Sequence, residues 1–220
     1  MKLPLLNKLV LVILIGIFQS PTVYADFSKS YDGYGVFNKY CFLCHGAEGK
    51  GDGPLASKLS TKVADLTNNV TLSKRTDKEL IRIIEGTAPH GQVSGDMPRW
   101  ALAIPATKIQ SLVAYIRYLH RGVHPLPGNP ELGKTIYDKY CQQCHAEDGE
   151  GDGILTKIFD IEPSNHTDTA LMDKMSNKKM EDIIRNGGAG SKSMMPGWKD
   201  ILSDDEINAV ISYIRLLAAN

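Results

Sequence analysis

The sequence has no excess of charge of either sign, and it has only four cysteines. Its 25 basic and 25 acidic side chains cancel. A chain without a basic excess lacks the electrostatic footprint of a nucleic-acid binder. Beyond residue 18 there is no apolar run of the roughly 20 residues needed to cross a bilayer. There is also no convincing alternation of apolar and polar residues of the kind a half-buried strand shows. With 42% hydrophobic and 23% charged residues, the composition excludes a disordered chain. Its 220 residues suffice for one or two domains with real cores. The 20 glycines and 11 prolines predict long loops around short helices.

The N-terminus reads as an address. Lys2 and Lys8 precede an apolar run from Leu9 to Phe18, then Pro21 and Val23-Tyr24-Ala25. These are the three regions of a secretory signal peptide, and the run is about half the spanning length. Cleavage after Ala25 is expected, leaving residues 26–220 as an exported, periplasmic chain. Membrane association follows only if the segment stays uncleaved. No cysteine lies near the cleavage point, which argues against a lipid anchor.

The rest is one unit written twice. Tyr40-Cys41-Phe42-Leu43-Cys44-His45 returns 100 residues later as Tyr140-Cys141-Gln142-Gln143-Cys144-His145. Gly33, Phe37, Gly49, Gly51, Asp52 and Gly53 match Gly133, Tyr137, Gly149, Gly151, Asp152 and Gly153. At an offset of 98, Met97-Pro98-Arg99-Trp100 returns as Met195-Pro196-Gly197-Trp198, and Tyr115-Ile116-Arg117 as Tyr213-Ile214-Arg215. Two copies of this length are a tandem domain duplication rather than a solenoid. The expected domains are 26–123 and 131–220, joined by a linker at 124–130 that carries three prolines.

Each copy reads as helical. Gly33, Phe37 and Cys41 recur at intervals of four on one face. Thr76-Asp77-Lys78-Glu79 and Ser203-Asp204-Asp205-Glu206 are capping-box sequences. Ile109, Leu112, Val113, Ile116 and Leu119 form an apolar stripe, matched by Ile207, Val210, Ile211, Ile214 and Leu217. The glycine-rich stretch after each His reads as loop.

The chemistry sits in Cys-x-x-Cys-His. Cysteines at i and i+3 of a helix point the same way, with the histidine beside them. The two thiols can then form thioethers to one haem while the imidazole reaches its iron, the pattern of c-type haem attachment. A redox dithiol would sit beside a βαβ pattern, which is absent. A zinc site would draw Cys41 and Cys141 from separate repeats. A disulfide within each pair would strain the helix. None of these explains a histidine after both pairs. The motif therefore implies two covalently bound c-type haems, attached through Cys41, Cys44, Cys141 and Cys144, with His45 and His145 on the irons.

A haem iron held by one histidine takes a sixth ligand or leaves an open position. Met97 is the only methionine between the two motifs, and Met-Pro-x-Trp recurs with nearly preserved spacing. Methionine is otherwise exchangeable core filler, so the recurrence points to ligation by Met97 and Met195. Met194 is the alternative in the second copy. Met172, Met175 and Met180 are expected to pack helices, and His90 and His166 to be solvent-facing loop residues.

Both halves resemble class I cytochrome c domains, over nearly all of residues 26–220. Gly33 and Phe37, like Gly133 and Tyr137, fit the family's first helix. The resemblance implies an all-α fold in which this helix crosses the closing helix closely, against Tyr115 and Tyr213. It also implies that Gly49-Lys50-Gly51-Asp52-Gly53-Pro54 is the loop whose carbonyl accepts the proximal histidine's Nδ1 proton. The second copy has Ile154 in place of Pro54. The pattern is most similar to cytochrome domains attached to haem–copper oxidases and small dehydrogenases, in the architecture of periplasmic dihaem carriers.

The expected function is electron transfer rather than enzymatic turnover, between redox protein partners such as a membrane oxidase, a dehydrogenase or a small cytochrome. A dedicated haem subunit of a larger complex is the alternative, and a dihaem peroxidase a more distant one. The neutral total hides an opposed pair. Residues 26–124 carry 13 basic and 9 acidic groups, net +4, whereas residues 125–220 carry 10 and 16, net −6. The lobes are thus expected to steer partners of opposite surface charge, unless the asymmetry is drift of solvated charges.

Overall fold

A computed structural model describes residues 29–188 and 193–219. The expected signal peptide lies outside the described residues. The first half runs through α1 (Lys29–Tyr40), α2 (Phe42–His45), a 3-10 turn at Ala56–Lys58, α3 (Asn69–Leu72), α4 (Asp77–Glu85), a second 3-10 turn at Trp100–Leu102 and α5 (Ala106–Arg121). The second half follows the same plan with α6 (Pro130–Tyr140), α7 (Gln142–His145), α8 (Thr156–Phe159) in place of the first 3-10 turn, α9 (Thr169–Lys174), α10 (Asn177–Asn186) and α11 (Asp204–Leu217). No strand occurs among the described residues.

The helix starts follow local chemistry. Thr76 and Ser203 each accept a bond from the backbone three residues on, and Glu79 and Glu206 reach back to close both capping boxes. Pro130 is the first residue of α6, where its missing N–H costs nothing, and Asn129 caps it. α4 and α5 end at Gly86 and Gly122, both in the left-handed conformation.

In each half the first helix crosses the last. A Cβ on Gly33 would run into the Ser111 carbonyl of α5, and one on Gly133 into the Ala209 carbonyl of α11. Only glycine lets these backbones approach so closely. Phe37 packs edge-on to Tyr115 with centroids 5.3 Å apart, and Tyr137 to Tyr213 at 5.1 Å. Around these crossings lie two apolar cores. The first gathers Leu80, Ile84, Ile109, Leu112 and Ile116. The second gathers Met172, Met180, Ile184, Ile207 and Ile211, with Met175 against its edge. The expected stripes and packing methionines are therefore buried, except Leu119 and Met175, which are partly buried against the cores.

The halves also pack on each other. Leu216 of α11 is buried in the first core. Tyr31 of α1 meets Tyr213 edge-on at 5.3 Å, and the Ser30 hydroxyl donates to the Ala219 carbonyl at 2.8 Å. The connecting segment is held on both sides. Tyr118 Oη donates to the His124 carbonyl, Asn177 Nδ2 to the Pro125 carbonyl, and the Gly128 N–H to Ser212 Oγ. Arg121 pairs with Asp173 at 3.0 Å.

Candidate haem sites

Cys41 forms the joint between α1 and α2. Its N–H donates to the Phe37 carbonyl at 2.8 Å, and its own carbonyl accepts from Cys44 at 3.1 Å and His45 at 2.9 Å. Cys141 does the same, with Tyr137 at 2.8 Å, Cys144 at 3.2 Å and His145 at 3.0 Å. One turn thus places two thiols and an imidazole together in each half. All four cysteines are unbridged. Burial pushes the Cys41 and Cys141 thiols up to about 12, with Cys44 and Cys144 adding to the shift. The activated thiol of a redox dithiol is displaced the other way. Among the described residues no three His, Cys, Asp or Glu side chains converge as an ion site.

The glycine-rich loop folds back under each motif. Gly51, Gly53 and Leu55 donate to the carbonyls of His45, Cys44 and Leu43 at 2.8, 3.1 and 2.8 Å. Gly151, Gly153 and Leu155 repeat this with His145, Cys144 and Gln143. These bonds satisfy carbonyls left open at the helix end. Gly51 and Gly151 have φ of 78° and 86°. A Cβ there would strike the carbonyls of Val63 and Pro163, so the glycines admit the next stretch of chain.

That stretch carries the histidine's acceptor. His45 Nδ1 donates to the Ala64 carbonyl at 3.1 Å, and His145 Nδ1 to the Ser164 carbonyl at 3.1 Å. The expectation that the acceptor lies in Gly49–Pro54 is corrected. The Gly49 and Gly53 carbonyls accept from Leu66 and Ala56, those of Gly149 and Gly153 from His166 and Thr156, and the acceptor follows 19 residues after each histidine. The exchange of Pro54 for Ile154 therefore does not touch this bond. Burial lowers the pKa of both His45 and His145, and the carbonyl bond opposes it. Each ring is thus held in one tautomer with Nε2 as its basic nitrogen.

Met97 is half-buried against the first core beside Trp100, and Met195 against the second beside Trp198. Trp100 packs on Tyr40 at 5.5 Å and Trp198 on Tyr140 at 5.2 Å, so equivalent aromatics brace both segments. Met194 is 55% exposed.

His166 is not the solvent-facing residue expected of it, whereas His90 is exposed. Its ring stacks on His145, centroids 4.2 Å apart and planes within 15°. Its Nδ1 is 3.1 Å from the Tyr137 hydroxyl. Burial, then the nearby His145, holds its pKa well below the ordinary histidine range. The repeat carried the signal, because an offset of 100 aligns His166 with the core residue Leu66 rather than with another histidine.

Residues 130–218 match the family described as cytochrome c, and residues 30–116 match subunit III of cbb3-type cytochrome c oxidase. The chain is a dihaem class I cytochrome c. The CcoP subunit of a cbb3-type cytochrome c oxidase from Azospirillum brasilense is 28% identical to this cytochrome over 195 residues, covering 84% of the chain and 61% of that protein. The CcoP of Rubrivivax gelatinosus is 26% identical over 184 residues, covering 83% and 53%. A cytochrome c6 from Bryopsis maxima is 29% identical over 87 residues, 40% of the chain and 90% of that protein. The chain thus spans between half and two thirds of the length of these CcoP relatives.

Two c-type haems are the cofactors of such a pair of domains. The donors in each half fit this group. Two unbridged thiols one turn apart suit thioether bonds, and the adjacent imidazole is already committed through Nδ1 to a carbonyl.

Proposed function

We propose that this cytochrome passes single electrons through its two lobes and catalyses no reaction of its own. One haem is attached at Cys41 and Cys44 with His45 on its iron, and the other at Cys141 and Cys144 with His145 on its iron. Met97 and Met195 are the sixth ligands. The observation that carries this reading is the pair of Nδ1 bonds to Ala64 and Ser164, which leave each Nε2 as the ligating nitrogen. When bound, each haem supplies a one-electron ferric–ferrous couple. The thiols anchor it, and the carbonyl bond fixes the imidazole's tautomer and raises its basicity. A thioether sulfur is a soft ligand that favours the reduced state. The exposure of Met194 and the packing of Met195 favour Met195 in the second lobe.

The lobes correspond to residues 26–123 and 131–220, with 1–25 removed after Ala25 on export to the periplasm. No described helix is long and apolar enough to cross a membrane. Likeness to CcoP over both lobes favours a second reading, in which the chain is the haem-bearing partner of a membrane haem–copper oxidase.

Haem per chain, counted by mass and absorbance, tests the attachment. Two are expected, and one after Cys41→Ser/Cys44→Ser or Cys141→Ser/Cys144→Ser. Met97→Ala and Met195→Ala should each abolish the sulfur-to-iron absorption of one haem, and Met194→Ala neither. Full occupancy in the serine variants overturns the attachment, and unchanged spectra in the alanine variants overturn the ligation. Co-purification with an oxidase from solubilised membranes separates the subunit from a diffusing carrier.

A further inference from the structure

The two lobes part company at one position beside the motif histidine. Leu66 and His166 occupy the same place in the backbone, since the N–H of each donates to the carbonyl of Gly49 or Gly149 at 2.7 Å. Leu66 presents an apolar side chain there, and His166 an imidazole stacked face to face on His145. A second exchange accompanies the first. Phe37, fully buried, becomes Tyr137, also fully buried, whose hydroxyl meets His166 Nδ1. The second lobe has therefore replaced two apolar contacts with a hydrogen-bonded polar pair. Such a pair, satisfied within itself, is at best neutral for stability relative to well-packed apolar groups. Its distinctive effect is on the local field.

We infer that the His166–Tyr137 pair sets the second haem's reduction potential below the first's, by placing a polar, polarisable ring against the proximal imidazole where the first lobe places leucine. The oxidised haem carries one more positive charge than the reduced haem. A polarisable ring and a hydrogen-bonded pair respond to that charge and stabilise it, while a dry aliphatic contact does so less. His166 is thus a positioning residue acting through His145. The inference rests on the proposed ligation of the second iron by His145.

The test is a potentiometric titration of the intact dihaem protein at about pH 8, above the ordinary histidine range. Each step is assigned to a lobe by which of Met97→Ala and Met195→Ala moves it. His166→Leu should shift the second haem's equilibrium toward reduction by about tenfold, ~59 mV for one electron, and leave the first in place. Leu66→His should lower the first haem's potential by a similar factor. Tyr137→Phe should move the second haem in the same direction as His166→Leu, by less. His166→Gln, which keeps a polar group, should stay nearer to the parent protein. Unmoved potentials in His166→Leu, equal movement of both haems, or a His166→Gln shift as large as that of His166→Leu each overturn the inference. If His166→Leu fails to take up haem, Leu66→His decides: a first haem that stays low-spin and unmoved overturns it. Failure of the ligation itself looks different, because the parent protein's second haem would then keep its spectrum in His145→Ala.

Discussion

Arg117 and Arg215 stand at equivalent places on the closing helices, and both clamp the loop before the middle helix. Arg117 donates to the Leu72 and Arg75 carbonyls and pairs with Asp77 at 2.8 Å. Arg215 donates to the Met172 and Met175 carbonyls and, through Nε, to Asn177 Oδ1 at 2.9 Å. The first arginine has a carboxylate at its partly exposed end, while the second is 2% exposed and donates to two carbonyls and an amide oxygen, with the Asp173 carboxylate acting on it at longer range. The lobes differ again beside the motif histidines, with Leu66 and Phe37 in one and His166 and Tyr137 in the other, but there the second lobe carries the polar groups. Duplication has kept the backbone bonds in register and let the electrostatics diverge. The net charges of +4 and −6 extend that divergence to the surface.

The helix crossings are the feature the lobes share most closely, and breaking them should have the largest effect. Gly33→Ala and Gly133→Ala each force a methyl group into a facing carbonyl. Each should destabilise its own lobe by about 3 kcal/mol, at the upper end for overpacking. Thermal unfolding followed at the two haems checks this, and equal loss in both lobes from one substitution would mean that they melt as a unit.

Removal of the arginines should separate the lobes. Arg215→Met leaves buried carbonyls without donors, at a cost of about 2–3 kcal/mol, whereas at the partly exposed Arg117 water can replace the lost bonds and about 1 kcal/mol is expected. Denaturant titration of the two variants measures the difference. Equal costs would show that burial is not what distinguishes the two clamps.

A smaller difference lies just after the motif histidines. Gly46 has φ of 76°, and its counterpart Ala146 holds φ of 65° with a Cβ. Ala146→Gly should therefore stabilise the second lobe by about 1 kcal/mol by relieving the strain of a positive φ combined with an extended ψ of 164°. A fall in its melting temperature would contradict this.

The capping boxes should behave alike in both lobes. Glu79 and Glu206 have pKa values lowered chiefly by the backbone N–H groups of Thr76 and Ser203, with their hydroxyls adding. A lowered folded pKa means that the contribution is present above the ordinary carboxylate range and lost as pH falls through the folded value. Both carboxylates are exposed, so the effect is slight. Glu79→Gln and Glu206→Gln, which mimic the protonated acid, should leave stability in acid unchanged and lower the neutral plateau slightly, so that the acid limb flattens.

Much of the fold was legible in one dimension because the gene holds the same message twice. Helix starts showed as capping boxes, cores as 3.6-residue stripes, and the haem attachment as Cys-x-x-Cys-His. Each of these depends on residues within a few positions of one another. The histidine's carbonyl partner was misplaced into the glycine-rich loop, because that bond joins residues 19 apart through a chain reversal which local spacing does not encode.

By itself, then, the sequence determined two helical haem-binding units, the proposed anchors in their Cys-x-x-Cys-His motifs and their apolar faces, since motif chemistry and helical periodicity are local. Tertiary structure alone decided which carbonyl holds each imidazole, that the lobes pack through Tyr31, Leu216 and the connecting segment, and that His166 lies against His145. These depend on where distant segments meet, and for His166 the linear hint was its alignment with an apolar residue, Leu66, across the repeat.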